Sequence, residues 1–164
     1  MIVPDLLRDD LALVLCGTAP SRASMEAAAY YAHPGNIFWK TLFDVGLTPR
    51  LVAPKDYASL LEWDIGLTDL NKTEWGADSE LSSGGFDVAA FSEKMRRYKP
   101  RRVAFTSKTA AANFLGRRGV SYGLQPETLG DSALFVLAST SGRASNHFTI
   151  EPWRALAHHV KSFG

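Results

Sequence analysis

One cysteine, Cys16, is present among 164 residues. A lone thiol excludes an internal disulfide framework and any cysteine-based metal cluster, and it suits a reducing compartment. The four histidines show no metal-ligand spacing: His158 and His159 are adjacent, and His33 precedes a proline. No metal and no cofactor are expected. Long apolar runs are missing as well, since runs such as Leu11 to Cys16 are far too short to span a bilayer. Residues 1–10 carry three aspartates and one arginine, the opposite of the charge a secretory leader needs. The expectation is a cytoplasmic protein with no membrane partner. The chain also has no Gly-x-Ser-x-Gly elbow, no Walker phosphate loop and no Gly-x-Gly-x-x-Gly fingerprint. An unrelated α/β hydrolase or nucleotide-binding protein therefore has little support.

A large net charge is absent too, at a formal +1. The distribution is more telling than the total. Nine basic residues and no acidic one lie between Lys94 and Arg118, which is half of the 18 lysines and arginines. Such a run attracts polyanions, or it is a solvated face balanced by acids brought near in the fold. A content of 46% hydrophobic and 21% charged residues fits one domain over residues 1–164 with a real core.

Three short apolar runs read as buried strands: Leu11 to Cys16, Arg102 to Thr106 and Ala133 to Leu137. Helical patterns lie between and after them, at Asn36 to Val45 with Asn36 as N-cap, Pro54 to Trp63, Phe86 to Tyr98, Lys108 to Leu115 and Glu151 to Phe163. Strands alternating with helices imply a single-domain three-layer α/β/α fold with a mostly parallel central sheet. Ligands then bind at the C-terminal ends of the strands. The loops after Cys16 and Leu137 are therefore the places to look. Residues 79–85, rich in glycine and serine, read as the mobile loop.

Four segments stand out. Gly17-Thr18-Ala19-Pro20-Ser21 makes a tight turn after the first strand. Tyr30-Tyr31-Ala32-His33-Pro34-Gly35-Asn36-Ile37-Phe38-Trp39-Lys40 packs aromatics, His-Pro and asparagine into eleven residues. Gly66-Leu67-Thr68-Asp69-Leu70 follows, and Ser139-Thr140-Ser141-Gly142-Arg143-Ala144-Ser145 follows the last strand.

In order and spacing these segments resemble the mismatch-specific branch of the uracil-DNA glycosylases, the Mug and thymine-DNA glycosylase type. That branch has G-I-N-P-G, then F-A-H-P-x-N-x-F-W-K, then G-[IV]-T-x-L, then a late N-P-S-G or S-S-S-A-R loop. The likeness runs from about Leu13 to Ser145. It implies an enzyme that flips a deaminated or damaged base out of DNA and hydrolyses its N-glycosidic bond, at an unstacking cost of about a few kcal/mol. The implied partner is DNA with a damaged or mismatched base, and a monomer is expected. Gly17, Thr18, Ala19, Tyr31, Asn36 and Ser139 would form the base pocket. Tyr31 would stack on the base, or pack as a core aromatic under its loop; Asn36 would read a base edge or cap its helix. Arg143 falls where the family places its duplex-wedging residue, or it touches phosphate. Ser141, Gly142 and Ser145 would lie against DNA with it. Lys108 would contact phosphate or be solvated.

The resemblance breaks at Ala19, where the family's asparagine positions the attacking water. Asp69 offers a replacement, since a carboxylate stabilises an oxocarbenium-like sugar and takes a proton from water. It fits a turn or cap role equally well. Ser139 stands where relatives often have asparagine, and the late loop lacks the histidine of the fastest uracil glycosylases. A slower enzyme follows, with uracil, an etheno-adduct or hypoxanthine all fitting as substrates. No lysine lies in the pocket motifs to attack the sugar, with Lys40 outside them on its helix, so the reaction would be monofunctional. The alternative is a catalytically weak or inactive lesion-binding protein on the same scaffold.

Overall fold

The computed structural model describes residues 2–164. Five strands, β1 (Leu13–Gly17), β2 (Ile65–Asp69), β3 (Arg102–Phe105), β4 (Gly123–Leu129) and β5 (Ser132–Val136), form one sheet in the order β2-β1-β3-β5-β4. Four of them run parallel, and β4 returns antiparallel along the edge of β5. Five α-helices accompany them: α1 (Arg22–Ala27), α2 (Phe38–Asp44), α3 (Val88–Tyr98), α4 (Lys108–Leu115) and α5 (Glu151–Phe163). Residues Pro54–Trp63 wind as a 3-10 helix with proline in its first turn. The expected layered α/β fold with a mostly parallel sheet is the one observed. Among the described residues no helix is long and apolar enough to cross a membrane.

Alternation along the strands creates the layers. Leu13, Leu15, Leu67, Ala104, Phe135 and Leu137 point to one face, where Phe38 and Leu42 of α2 and Trp153 and Leu156 of α5 cover them. Val14, Cys16, Val103, Phe105, Leu134 and Val136 point to the other, against Phe91 and Met95 of α3 and Ala110 and Ala111 of α4. Both faces of the central strands are therefore dry, as a parallel sheet requires.

Several expected boundaries move. The first strand begins at Leu13 rather than Leu11, α3 begins at Val88 with Asp87 capping it, and α2 begins at Phe38 with Ile37 at its cap. Asn36 is thus not the N-cap; its Oδ1 accepts the Phe38 N–H at 2.9 Å from one residue further out. Helices α4 and α5 match their expected bounds. The segment expected to be a mobile loop holds one-turn 3-10 helices at Asp78–Glu80 and Ser83–Gly85, tethered where Glu74 accepts from Ser82 N and Oγ.

Candidate active site

Four strand ends converge at the C-terminal edge of the sheet. Gly17 ends β1 and pairs in register with Asp69, which ends β2. Thr106 follows β3, its N–H donating to Cys16 O at 2.9 Å. Leu137 extends β5 in the same way, donating to Phe105 O at 2.9 Å, and leads into Ser139. Because β1 is an interior strand, its end is flanked by β2 on one side and β3 on the other.

The carboxyl of Asp69 lies at this edge, and the residue is only 4% exposed. Its Oδ2 is buried and has no hydrogen-bond partner among the described residues. Burying a carboxylate oxygen without a partner is unfavourable, so such an atom at the C-terminal end of a parallel strand points to a ligand or reaction role. Desolvation pushes its pKa up to about 7, with the Lys72 ammonium pulling it down and the Asp5 carboxylate pushing it further up. At neutral pH this group exchanges protons readily, which suits general acid–base work.

Gly17 leaves the space that Asp69 occupies. A Cβ there would meet Asp69 Oδ1 at 2.8 Å, the Tyr31 hydroxyl at 3.1 Å and Thr106 Oγ1 at 3.5 Å. Three polar groups thus gather over one Cα. Tyr31 reaches them from a strained backbone, with φ at 51°, in the region that favours glycine. Its ring stacks on Phe38 at 3.7 Å and 12°, and its hydroxyl bonds Thr106 Oγ1 at 3.0 Å. Thr106 Oγ1 donates onward to Cys16 O at 3.3 Å, so the tyrosine hydroxyl donates to Thr106. Burial and the nearby Asp69 carboxylate hold that hydroxyl well above the usual tyrosine range, un-ionised. Phe38 thus covers one face of the Tyr31 ring.

The other expected site residues divide into two groups. Thr18 and Ala19 lie beside Gly17, on a loop laced to the segment that follows β2. Leu70 N donates to Gly17 O at 2.9 Å and Asn71 N to Thr18 O at 2.8 Å. The Thr18 side chain turns to Asp78, donating at 2.8 Å. The late loop docks on the His33–Ile37 turn: Ile37 N donates to Thr140 O at 3.1 Å, and a Cβ on Gly142 would come within 3.3 Å of Gly35 O. Ser139 Oγ accepts from Ser141 N at 3.3 Å, and Ser141 Oγ accepts from Arg143 N at 3.3 Å, so both hydroxyls shape the loop. Arg143 and Ser145 stand exposed on it. Asn36 lines a cleft of about 430 Å³ with Tyr31, Ala32, His33, Trp39 and Val52. Tyr31 lines that cleft, whereas Gly17 and Asp69 do not.

Thr106 was not among the expected residues. The rule that strand ends line the ligand site would have found it, since it immediately follows β3. Lys72 lies just outside the Gly66–Leu70 segment. Its ammonium, three residues beyond Asp69, is held by Asp5 Oδ1 at 2.9 Å and Val3 O at 2.9 Å. Asp5 also takes Lys94 at 2.5 Å and Thr68 Oγ1 at 2.7 Å. Burial opposes charge on Asp5, yet these donors hold its carboxyl below the usual range.

The basic run between Lys94 and Arg118 does not form one surface. Helix α3 ends where β3 begins, so Arg96, Arg97, Lys99 and Arg101 lie toward the edge of the sheet opposite the site. Arg102 is buried, donating to His159 Nδ1 at 2.6 Å and to Ala12 O at 3.0 Å. Arg117 pairs with Glu127 at 2.9 Å. Lys108 alone begins its helix at the site edge, exposed, with Nζ 4.3 Å from the centre of the Tyr122 ring. Among the described residues no group of three histidines, cysteines or carboxylates is placed to hold a metal ion.

Against known families, the model of the uracil DNA glycosylase superfamily matches residues 4–158. The chain belongs to that superfamily. Membership supports DNA glycosylase activity, a hydrolase reaction on a DNA substrate in DNA repair. Among solved structures, the chain is similar to the solution NMR structure of a candidate uracil DNA glycosylase from Methanosarcina acetivorans. That likeness has a TM-score of 0.70 at 22% identity and covers 97% of this chain and 96% of the other. It shows the shared glycosylase fold over nearly the whole length of both.

Proposed function

We propose that this chain is a monofunctional DNA glycosylase of the mismatch-specific type, with Asp69 as its catalytic residue in place of the asparagine replaced by Ala19. The observation that carries this reading is the buried Asp69 carboxyl, unpartnered at Oδ2 and facing Gly17 at the end of the adjacent strand β1. A deaminated or damaged base leaves the stack and enters the crevice, stacking on the open face of Tyr31. Arg143, exposed on a docked loop, fills the space the base vacates. Backbone groups of Ser141, Gly142 and Ser145 follow the strand, and Lys108 offsets phosphate charge at the same edge.

The C1′–N bond then breaks and its electron pair leaves with the base. Positive charge develops on the sugar, and the Asp69 carboxylate stabilises it in a dry, low-dielectric crevice. Water adds to C1′ and gives a proton to Asp69, which passes it to solvent or to the departing base. The products are the free base and an abasic sugar. Lysine chemistry at C1′ plays no part.

Ala19 favours one second reading, a lesion-binding protein that has lost the reaction. Incubation with oligonucleotides carrying uracil, hypoxanthine, xanthine or ethenocytosine separates the two. Each is presented single-stranded and paired, without metal, and then treated with alkali to cut abasic sites. Release of at least one base supports the enzyme; binding of every lesion with no release supports the second reading. A borohydride-trapped protein–DNA adduct would contradict monofunctional chemistry.

A further inference from the structure

Trp75 is 43% exposed, an unusual position for the largest apolar side chain. The other three tryptophans are all anchored. The Trp39 indole donates to Tyr30 O at 3.1 Å, and that of Trp153 donates to Ala138 O at 3.0 Å. Trp63 is covered by the Arg50 guanidinium, 5.4 Å from its ring. The Trp75 indole has no hydrogen bond, aromatic contact or cation over it among the described residues.

Its backbone, in contrast, is fixed on both sides. Buried Asn71 accepts the Glu74 N–H at 3.0 Å and donates to Glu74 Oε1 at 2.7 Å. Gly76, at φ +129°, donates to Pro20 O at 2.9 Å. Thr18 bonds Asp78 two residues further on. The loop that carries Trp75 is therefore strapped to the Thr18–Pro20 turn, directly beside the Gly17–Asp69 pair. A tethered segment presenting an exposed indole beside the Thr18–Pro20 turn is a pre-organised stacking platform, because the ordering entropy has already been met in folding.

We propose that Trp75 stacks on an unpaired DNA base adjacent to the one in the crevice. This rests on the reading of the sheet edge as a DNA-binding face. A base offers a flat π-surface whatever its identity, so the contact adds affinity without sequence preference. It also favours single-stranded or locally opened DNA over closed duplex, since a paired and stacked neighbour has no free face.

Intrinsic fluorescence tests this with lesion-free single-stranded oligothymidylate as probe, beside anisotropy of a labelled copy. Binding by wild type should quench tryptophan emission. Trp75→Ala should remove that quench and weaken binding by roughly tenfold or more, with an unchanged melting temperature. Trp75→Phe should restore much of the affinity without the quench. Unaltered affinity in Trp75→Ala, or a quench that persists in it, would overturn the proposal while leaving the DNA-binding reading intact. Wild type that binds neither this strand nor lesion DNA would overturn both.

Discussion

Gly17 and Asp69 face each other across adjacent parallel strands, so close that a single methyl group on Gly17 would sit 2.8 Å from the Asp69 carboxylate. The glycine is thus the space in which the acid stands. The same methyl group would press on the Tyr31 hydroxyl at 3.1 Å. Both neighbours are held, the one by burial and the other by Thr106 and Phe38, so neither yields cheaply. Gly17→Ala should lower kcat/KM by roughly 100-fold through displacement of the reacting groups. It should lower stability by only about 1–2 kcal/mol. Base-release kinetics and thermal melts on the same preparation check this together.

Asp69 must be ionised to stabilise a cationic sugar and accept a proton. With its pKa near 7, single-turnover rates should rise about tenfold per pH unit below that value and level off above it. Lys72 is the cation that pulls this carboxyl down, Asp5 pushes it up, and Lys94 shares Asp5 with Lys72. Lys72→Gln should move the midpoint of the rate profile to higher pH, with the plateau rate largely kept. A profile that falls uniformly without moving would assign Lys72 a structural role only.

The same carboxyl affects stability with a definite sign. Its folded pKa is raised above the unfolded value of 3.8, so the folded state holds the proton more tightly. That contribution is fully present below about pH 4 and is lost as pH rises through about 7. Asp69→Asn removes the dependence. Relative to wild type, the variant should gain about 2 kcal/mol more at pH 8 than at pH 5, read from denaturant unfolding at the two pH values. An active-site group that destabilises its own fold accords with an uncompensated buried acid kept for chemistry.

Arg143 is exposed on a turn whose backbone is pinned through Ser141 and Gly142. A wedge matters when a duplex must be opened and much less when the base is already unpaired. Arg143→Ala should reduce base release from paired substrate by roughly tenfold to 100-fold, with little change on single strands. Stability should stay within about 0.5 kcal/mol, as for other surface substitutions. Parallel assays on the same lesion, paired and unpaired, measure the difference.

The legible parts of the fold were those with complete local punctuation. Helix α4 is bracketed by Ser107, whose side chain accepts the Ala110 N–H, and by Gly116 in the left-handed region. Strand β2 reads in the sequence only as a motif, because Gly66 and Thr68 interrupt its apolar run. Both are buried, and Gly66 is there because a Cβ would lie 2.6 Å from Leu6 O. Strand β4 is not legible in the sequence because it carries Pro126 and alternates weakly. Such a strand is tolerated at a sheet edge, and its register shifts between Leu124 and Thr128. At the site, Asp69 and Tyr31 were legible through the motifs that hold them. Thr106, Lys72 and Trp75 were not, since their meaning comes from long-range juxtaposition: Thr106 with Tyr31, Lys72 with Asp5, and Trp75 with the Pro20 turn.

The most direct test of Asp69 as the catalytic group is single-turnover base release at pH 8 by wild type and Asp69→Asn, on the lesion wild type excises best. DNA affinity is measured beside it by anisotropy. Asparagine keeps the shape and removes the charge. The account predicts a loss of at least about 100-fold in rate, with affinity for the lesion DNA retained or increased as the buried negative charge disappears. An Asp69→Asn variant that releases base at the wild-type rate would contradict it.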